Sequence, residues 1–239
     1  MCLILFAIRP LSSYRLIVAA NRDEYYARPT RPAEFWRENP DILAGKDLLM
    51  GGTWMGITRS GRFAAITNLR GNAKEKIKFF SRGEIAIDYL ESNESPESFL
   101  DKLTRSAKRY QDFNLLVGDR FGYHYFNSRS SRVLQLAPGF YGLSNELLNC
   151  DWPKVQHGRQ QLTEAIDSVR IKENLFSILS YEGDTRPFSK SFIAGSVYGT
   201  TSQTVLTWDT KGELKFTEKN FTQGGKLETT KNVSFQVHF

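Results

Sequence analysis

Cysteine is scarce in this chain of 239 residues, which has only Cys2 and Cys150. Two cysteines form at most one disulfide bond, which is too few to stabilise a small secreted scaffold. No apolar run reaches the length of a membrane-spanning helix, and the run Cys2–Ile8 lacks the basic residues that begin a signal peptide. These absences predict a cytoplasmic protein without a transmembrane segment, while a peripheral contact with a membrane stays open.

Histidine is also scarce, and the three histidines have no metal-ligand spacing with one another or with cysteine. The sequence contains no phosphate loop and no nucleotide-binding fingerprint. The formal net charge of +6 favours anionic partners. However, the densest basic run, Lys74, Lys76 and Lys78 with Arg82, lies outside any nucleic-acid-binding motif. We therefore expect no metal, no required cofactor and no nucleic-acid partner.

The apolar pattern predicts a single domain over residues 1–239 with an α+β fold. Two apolar runs, Cys2–Ile8 and Leu16–Ala20, predict an opening β-hairpin, whereas the prolines within Arg28–Asn39 predict a surface loop. Further strands are predicted at Thr53–Thr58, Arg62–Asn68, Asn114–Val117, Tyr123–Phe126, Arg132–Ala137, Thr204–Trp208, Leu214–Thr217 and Ser234–Phe239. Helices are predicted near Glu84–Leu90, after Ser95-Pro96, from Asp151-Trp152-Pro153 to Val169, and at Leu175–Leu179. Such blocks indicate two antiparallel sheets covered by helices.

Cys2 is the first candidate for chemistry. Removal of Met1 would leave a thiol and a free α-amine on one residue, and an α-amine with a pKa of about 7.7 to 8.0 is partly neutral near pH 7. It can then take the proton of the thiol and create a nucleophile. The alternative is that Cys2 is simply a small apolar residue that opens a buried strand.

Four polar residues, Asn21-Arg22-Asp23-Glu24, follow the second apolar run. An antiparallel hairpin brings them close to Cys2, where a carboxylate can hold an α-ammonium group and an arginine favours a thiolate. The alternative is a solvated end of a strand. By themselves, these four residues do not decide between the two interpretations.

Seven blocks of the sequence resemble the NRDE-motif family, which includes the transport-and-Golgi-organisation proteins. They occur in the family's order and span nearly the whole chain, which makes the match specific. The blocks are Met1-Cys2, Ala20-Asn21-Arg22-Asp23-Glu24 with Arg28-Pro29, Leu43-Ala44-Gly45-Lys46-Asp47, Gly51-Gly52-Thr53-Trp54, Ile66-Thr67-Asn68-Leu69-Arg70, Leu143-Ser144-Asn145 with Trp152-Pro153-Lys154, and Tyr198-Gly199-Thr200.

The resemblance implies a four-layer αββα sandwich, related to cysteine amidases of the N-terminal-nucleophile hydrolase group. Within it, Cys2 is expected as the nucleophile, and Arg22 with Asp23 or Glu24 as its electrostatic partners. Asn68 and Asn145 are expected as amide donors to a tetrahedral oxyanion, although both residue types also occur in turns. The remaining expected ligand contacts are Asn21, Glu24, Trp54 and Arg70.

One departure from the family pattern concerns position 201. The family usually carries an arginine after Tyr-Gly-Thr, and this chain has Thr201. A positive charge expected near the pocket is therefore absent.

Two functions of different class remain. The resemblance implies a ligand-handling protein that binds a small amphipathic anion, such as non-covalent haem or an acyl-CoA-like molecule, in haem trafficking or acyl-lipid homeostasis. The alternative is a cysteine amidohydrolase that cleaves a linear C–N amide bond with Cys2. Because Thr201 replaces the expected arginine, the sequence favours ligand handling by a small margin.

Overall fold

The computed structural model describes residues 2–71 and 80–238 of the chain. Its strands are β1 (Leu3–Ile8), β2 (Tyr14–Tyr25), β3 (Thr30–Phe35), β4 (Ile42–Asp47), β5 (Met55–Thr58), β6 (Phe63–Asn68), β7 (Phe113–Gly118), β8 (Tyr123–Asn127), β9 (Arg132–Leu136), β10 (Gly139–Leu143), β11 (Tyr198–Asp209), β12 (Glu213–Thr222) and β13 (Lys226–Gln236). Its helices are α1 (Arg82–Glu91), α2 (Pro96–Ser106), α3 (Pro153–Ala165) and α4 (Ile171–Leu179).

The chain divides into two compact units, and the first combines residues 2–28 with residues 138–236. Its sheet has the order β10-β1-β2-β11-β12-β13, and all of these pairs are antiparallel. Helices α3 and α4 cover one face of this sheet, where their apolar residues pack against alternate residues of β1 and β2. Leu3, Leu5 and Ala7 share that face because side chains alternate along a strand.

Close packing of α3 on this sheet depends on Gly158. A Cβ atom at this position would lie 2.7 Å from Cδ1 of Leu5, which is too close for an ordinary contact. The buried face of the helix also carries Val155 and Leu162 at helical spacing. Glycine at position 158 therefore lets the helix backbone approach β1.

The second unit combines residues 29–71, 80–137 and 237–238. Its sheet runs in the order β3-β4-β5-β6-β7-β8-β9, again antiparallel throughout. Helices α1 and α2 contribute Ile85, Tyr89 and Leu100 to a core that also contains Phe113 and Phe126. Proline in the first turn and a hydroxyl cap from Ser95 begin α2, as the sequence predicts.

Three expectations from the sequence are wrong in detail. The predicted loop Arg28–Asn39 contains strand β3, because Pro32 lies in an edge strand with an irregular register, where a missing N–H group is tolerated. The sequence predicts no strand at Gly139–Leu143, where β10 lies, and the predicted last strand, Ser234–Phe239, begins earlier, at Lys226, and ends at Gln236, with Phe239 outside the described residues. The opening hairpin, all four helices and the three strands of Asn114–Ala137 are confirmed within one to a few residues.

Among residues 2–71 and 80–238, every helix is too short or too polar to cross a membrane. The basic run Lys74, Lys76 and Lys78 lies outside the described residues, and so does Met1. The single-domain prediction stays a prediction.

Leu5→Ala tests the core between β1 and α3. Leu5 is fully buried, so its truncation should lower the free energy of unfolding by about 2 to 5 kcal/mol, measured by urea unfolding. Leu227→Ala is the matched control in the same unit, because Leu227 is 50% exposed and should change stability by less than about 0.5 kcal/mol. Equal effects of the two substitutions would contradict this packing.

Candidate functional site

The register of the opening hairpin places Cys2 beside the polar residues of β2. Leu3 pairs with Asn21, so Cys2 and Arg22 are the next residues along the two antiparallel strands. The predicted second strand, Leu16–Ala20, ends too early: β2 continues to Tyr25 and pairs with β11 over this length. Residues 21–24 all pair with β11, whereas Asn21 alone also pairs with β1, and Cys2 lies partly exposed beside them.

Asp23 is a buried carboxylate, only 5% exposed. Its Oδ1 accepts a hydrogen bond of 2.7 Å from the Thr200 hydroxyl, which itself accepts one from the Ile193 backbone N–H. Burial raises the pKa of Asp23, whereas the charge of Lys154 and the hydrogen bond from Thr200 act in the opposite direction. The ionised form of Asp23 thus depends on residues more than a hundred positions away in sequence.

Arg22 lies beside the residue that departs from the family pattern. Its Nη1 donates to the Thr201 hydroxyl at 3.1 Å, and that hydroxyl donates to the Arg22 carbonyl at 3.2 Å. A β-bulge between Thr200 and Ser202 makes room for Thr201. On its other side, Arg22 approaches Glu24 at 3.7 Å. Thr201 therefore orients the guanidinium of Arg22 on β2.

Asn21 has a structural role in the first unit. It is fully buried, and its Nδ2 donates to the carbonyls of Leu179 at 2.8 Å and Ser191 at 2.7 Å. These bonds tie β2 to the end of α4 and to the segment before β11. Both N–H groups of the amide are used here, and its expected contact with a ligand stays a prediction.

Lys154 is the residue that the sequence analysis missed. It lies on the buried face of α3, is only 1% exposed, and its Nζ is 3.4 Å from the Cys2 carbonyl oxygen. The Ser144 hydroxyl donates to the same oxygen at 2.6 Å. Burial lowers the pKa of Lys154, and the charges of Asp23 and Cys2 oppose this. A lysine in the apolar stripe of a predicted helix was the signal that could have found it.

The titration of Cys2 follows from the same surroundings. Burial raises the pKa of the thiol and the Asp23 carboxylate adds to this, whereas the Asp23 main chain and the Arg22 guanidinium lower it. The net direction is upward, so the thiol stays protonated at neutral pH. A nucleophilic Cys2 consequently needs a base within the site.

The other predicted site residues are divided between the two units. Asn145 is buried in the first unit and directly follows Ser144. In the second unit, Trp54 packs against the core formed with α1 and α2, and Asn68 ends β6 opposite Phe113. Arg70 is exposed, and its carbonyl accepts a hydrogen bond of 2.9 Å from Arg129. Their proposed roles stay predictions.

Nothing in residues 2–71 and 80–238 brings three histidine, cysteine, aspartate or glutamate side chains together as metal ligands. The histidines have other surroundings. His124 lies 3.2 Å from Glu97, and His157 packs against the ring of Tyr181. Neither arrangement identifies His124 or His157 as an axial ligand for haem.

The fold is that of the N-terminal-nucleophile hydrolases. A Cys2→Ala mutant of conjugated bile acid hydrolase from Clostridium perfringens has a similar structure, with a TM-score of 0.54 and 11% identity over 99% of this chain and 92% of that one. The N-acylethanolamine-hydrolyzing acid amidase ortholog of Caenorhabditis elegans gives a TM-score of 0.50 and 12% identity over 86% and 92%. These likenesses confirm the predicted α+β sandwich class.

Within this class, the chain belongs to the Transport and Golgi organisation 2 family, whose model matches residues 1–223. It is 36% identical to the Transport and Golgi organization protein 2 homolog of Bos taurus, over 92% of this chain and 93% of the relative. The human homolog is 34% identical with the same coverage. The resemblance seen in the sequence is therefore confirmed.

Lys154→Met tests the electrostatics of the site. Burial lowers the pKa of Lys154 in the folded protein from its usual value of 10.5. As the pH rises toward 10.5, the unfolded chain therefore holds more protons than the folded protein does, and the free energy of unfolding of the wild type increases. The difference in free energy of unfolding, wild type minus Lys154→Met, should therefore increase from about pH 7 to about pH 10 in urea titrations.

The control for this pH dependence is Lys172→Met, because Lys172 is exposed on α4 of the same unit. Its stability difference from wild type should stay constant over the same range. A constant difference for Lys154→Met as well would contradict the effect of burial on this lysine.

Proposed function

We propose that this protein is an N-terminal cysteine amidohydrolase that becomes active when Met1 is removed. The observation that carries the proposal is the set of buried ionisable groups around Cys2. The Asp23 carboxylate accepts a hydrogen bond from Thr200, and Lys154 approaches the Cys2 carbonyl. The side chains of Asp23 and Lys154 are almost fully buried. Such groups are costly to bury, and perturbed titration within a site is typical of catalytic centres.

Each group has a role in this reaction. The α-amine of Cys2 takes the proton of the thiol, whose raised pKa makes a base necessary. The sulfur attacks the carbonyl carbon of the amide, the C–N bond breaks, and the proton passes to the leaving amine. Water then attacks the thioester, its proton going to the α-amine and returning to the thiol as the carboxylic acid departs.

The neighbouring residues set the electrostatics of this exchange. A lone Asp23 carboxylate would hold the α-amine as an ammonium ion, which cannot act as a base. The positive charge of Lys154 opposes that effect, since the two side chains influence each other's pKa in opposite directions. Arg22 favours negative charge on the sulfur, and Asn145 is the amide donor that we assign to the oxyanion in the first unit.

We infer that the substrate is an N-acyl amide. The names of the two similar structures describe hydrolysis of N-acylethanolamines and of conjugated bile acids. The excess of positive charge on this chain, +6, suits a substrate whose acyl or amine part carries a negative group. The same charge is what favours the second candidate, binding of haem or an acyl-CoA-like ligand without hydrolysis.

Cys2→Ala should abolish the release of aminocoumarin from an N-acyl-aminocoumarin, measured by fluorescence, because the nucleophile and its acyl intermediate are lost. Cys150→Ser is the matched control and should retain activity, since Cys150 has no role in the proposed reaction. Intact mass spectrometry of untagged protein should show loss of Met1 and a transient acyl adduct on the wild-type chain. Retention of Met1 throughout would exclude the mechanism.

A pure binding function gives a different result. Haem would then shift its Soret band equally with the wild type and with Cys2→Ala, because no covalent chemistry at the thiol is involved. Titration calorimetry with palmitoyl-CoA would likewise give the same affinity for both. If neither haem nor palmitoyl-CoA binds, the second candidate function is ruled out for these two ligands.

A further inference from the structure

A cavity in the first unit lies beside the partly exposed side of α3. Its volume is about 520 Å³, which is within the range of small-molecule sites. The wall includes the aromatic ring of Phe140 from β10. The side chains that give it chemical character are Asp151, His157, Arg159, Thr163 and Arg186.

Arg159 is the unusual member of this set. Its stem packs on the backbone of β10, where a Cβ at Gly142 would meet the Arg159 Cγ at 3.0 Å. Its Nε is buried and has no hydrogen-bond partner in the part of the chain that the structure describes. The same residues provide no carboxylate within ion-pair distance of its guanidinium. A buried N–H donor without a partner is costly, and in this side chain the cost concerns Nε.

The nearby tyrosine does not neutralise this charge. Burial raises the pKa of Tyr141, and although the charge of Arg159 opposes the shift, the phenol stays neutral at ordinary pH. Tyr141 can therefore not serve as a counter-anion. The positive charge of Arg159 is available to a group that enters the cavity.

Three other polar residues of the wall form hydrogen bonds within the protein. Gln156 donates to the carbonyls of Asn149 and Cys150, and the Thr163 hydroxyl donates to the backbone of α3. Arg186 forms a two-point contact with Asp184. Asp151 is exposed to solvent, so its charge is screened more than that of Arg159.

We propose that this cavity binds the carboxylate or phosphate group of a small molecule, with Arg159 as the principal ligand-binding residue. A planar guanidinium with free donors can bind either oxyanion through two parallel hydrogen bonds. Phe140 offers an apolar surface to the rest of the molecule. The anion would pair with the positive charge of Arg159.

The site is separate from that of Cys2. Lys154 and Gly158 lie on the buried face of α3, whereas Thr163, which lines the cavity, is exposed outside that face. The inference therefore does not depend on the proposed amidohydrolase function. Ligand binding here can be measured in a protein whose Cys2 has been replaced.

The test is titration of untagged wild-type protein and of Arg159→Gln with inorganic phosphate and, separately, with acetate at constant low ionic strength. Calorimetry gives the affinity, and the NMR signal of the Arg159 Nε–H group reports a change at this guanidinium. We expect phosphate or acetate to shift that signal and Arg159→Gln to weaken binding about tenfold or more. The preferred anion distinguishes a phosphorylated from a carboxylated ligand.

The matched control is Lys172→Gln, which removes one positive charge from an exposed position of the same unit. It should bind phosphate and acetate as the wild type does. Circular dichroism and the unfolding midpoint verify that Arg159→Gln remains folded. If this variant does not fold, the NMR titration of the wild-type protein still tests the proposal. Equal weakening by both substitutions, or no shift of the Arg159 signal with either anion, would overturn the proposal.

Discussion

The antiparallel register between β1 and β2 is the constraint on which the candidate site depends. Pairing of Leu3 with Asn21 aligns the first described residue, Cys2, with the polar end of the second strand. A slip by one residue would turn every side chain of β1 to the other face of the sheet and separate Leu5 from the helices that cover it. Burial of the apolar face therefore fixes the position of the thiol, and the chemistry depends on core packing rather than on a flexible terminus.

A second constraint is the balance of buried charges on the same sheet. Asp23 and Lys154 come from a strand and a helix, and each shifts the pKa of the other toward its charged form. Removing one partner of such a pair leaves the other as an uncompensated buried charge. The two residues consequently act as one electrostatic unit, although they lie on different elements. Thr200 adds a neutral hydrogen bond that favours the carboxylate.

Local sequence patterns correctly predicted those elements in which each residue's preference for helix or strand matches the structure that the residue adopts. The capped start of α2 at Ser95-Pro96 and the alternation of β1 are of this kind. Strand β3 was missed because proline disfavours strands in general, while Pro32 lies at a sheet edge that only the tertiary structure defines. Lys154 was missed for a similar reason. Its distance from Cys2 depends on how α3 packs, and helical spacing alone does not report that packing.

The first unit is assembled from two distant parts of the chain, and this bears on when the site can form. Asp23 and Thr200 are 177 residues apart in sequence, and Cys2 and Lys154 are 152 apart. During synthesis, the opening hairpin therefore leaves the ribosome long before β11 and α3 exist. Contacts of such separation close large loops and form late in folding. A partly synthesised chain thus carries the Cys2 thiol without the buried pair of Asp23 and Lys154. Because translation runs from the N-terminus, the site around Cys2 is completed only when almost the whole protein has been made.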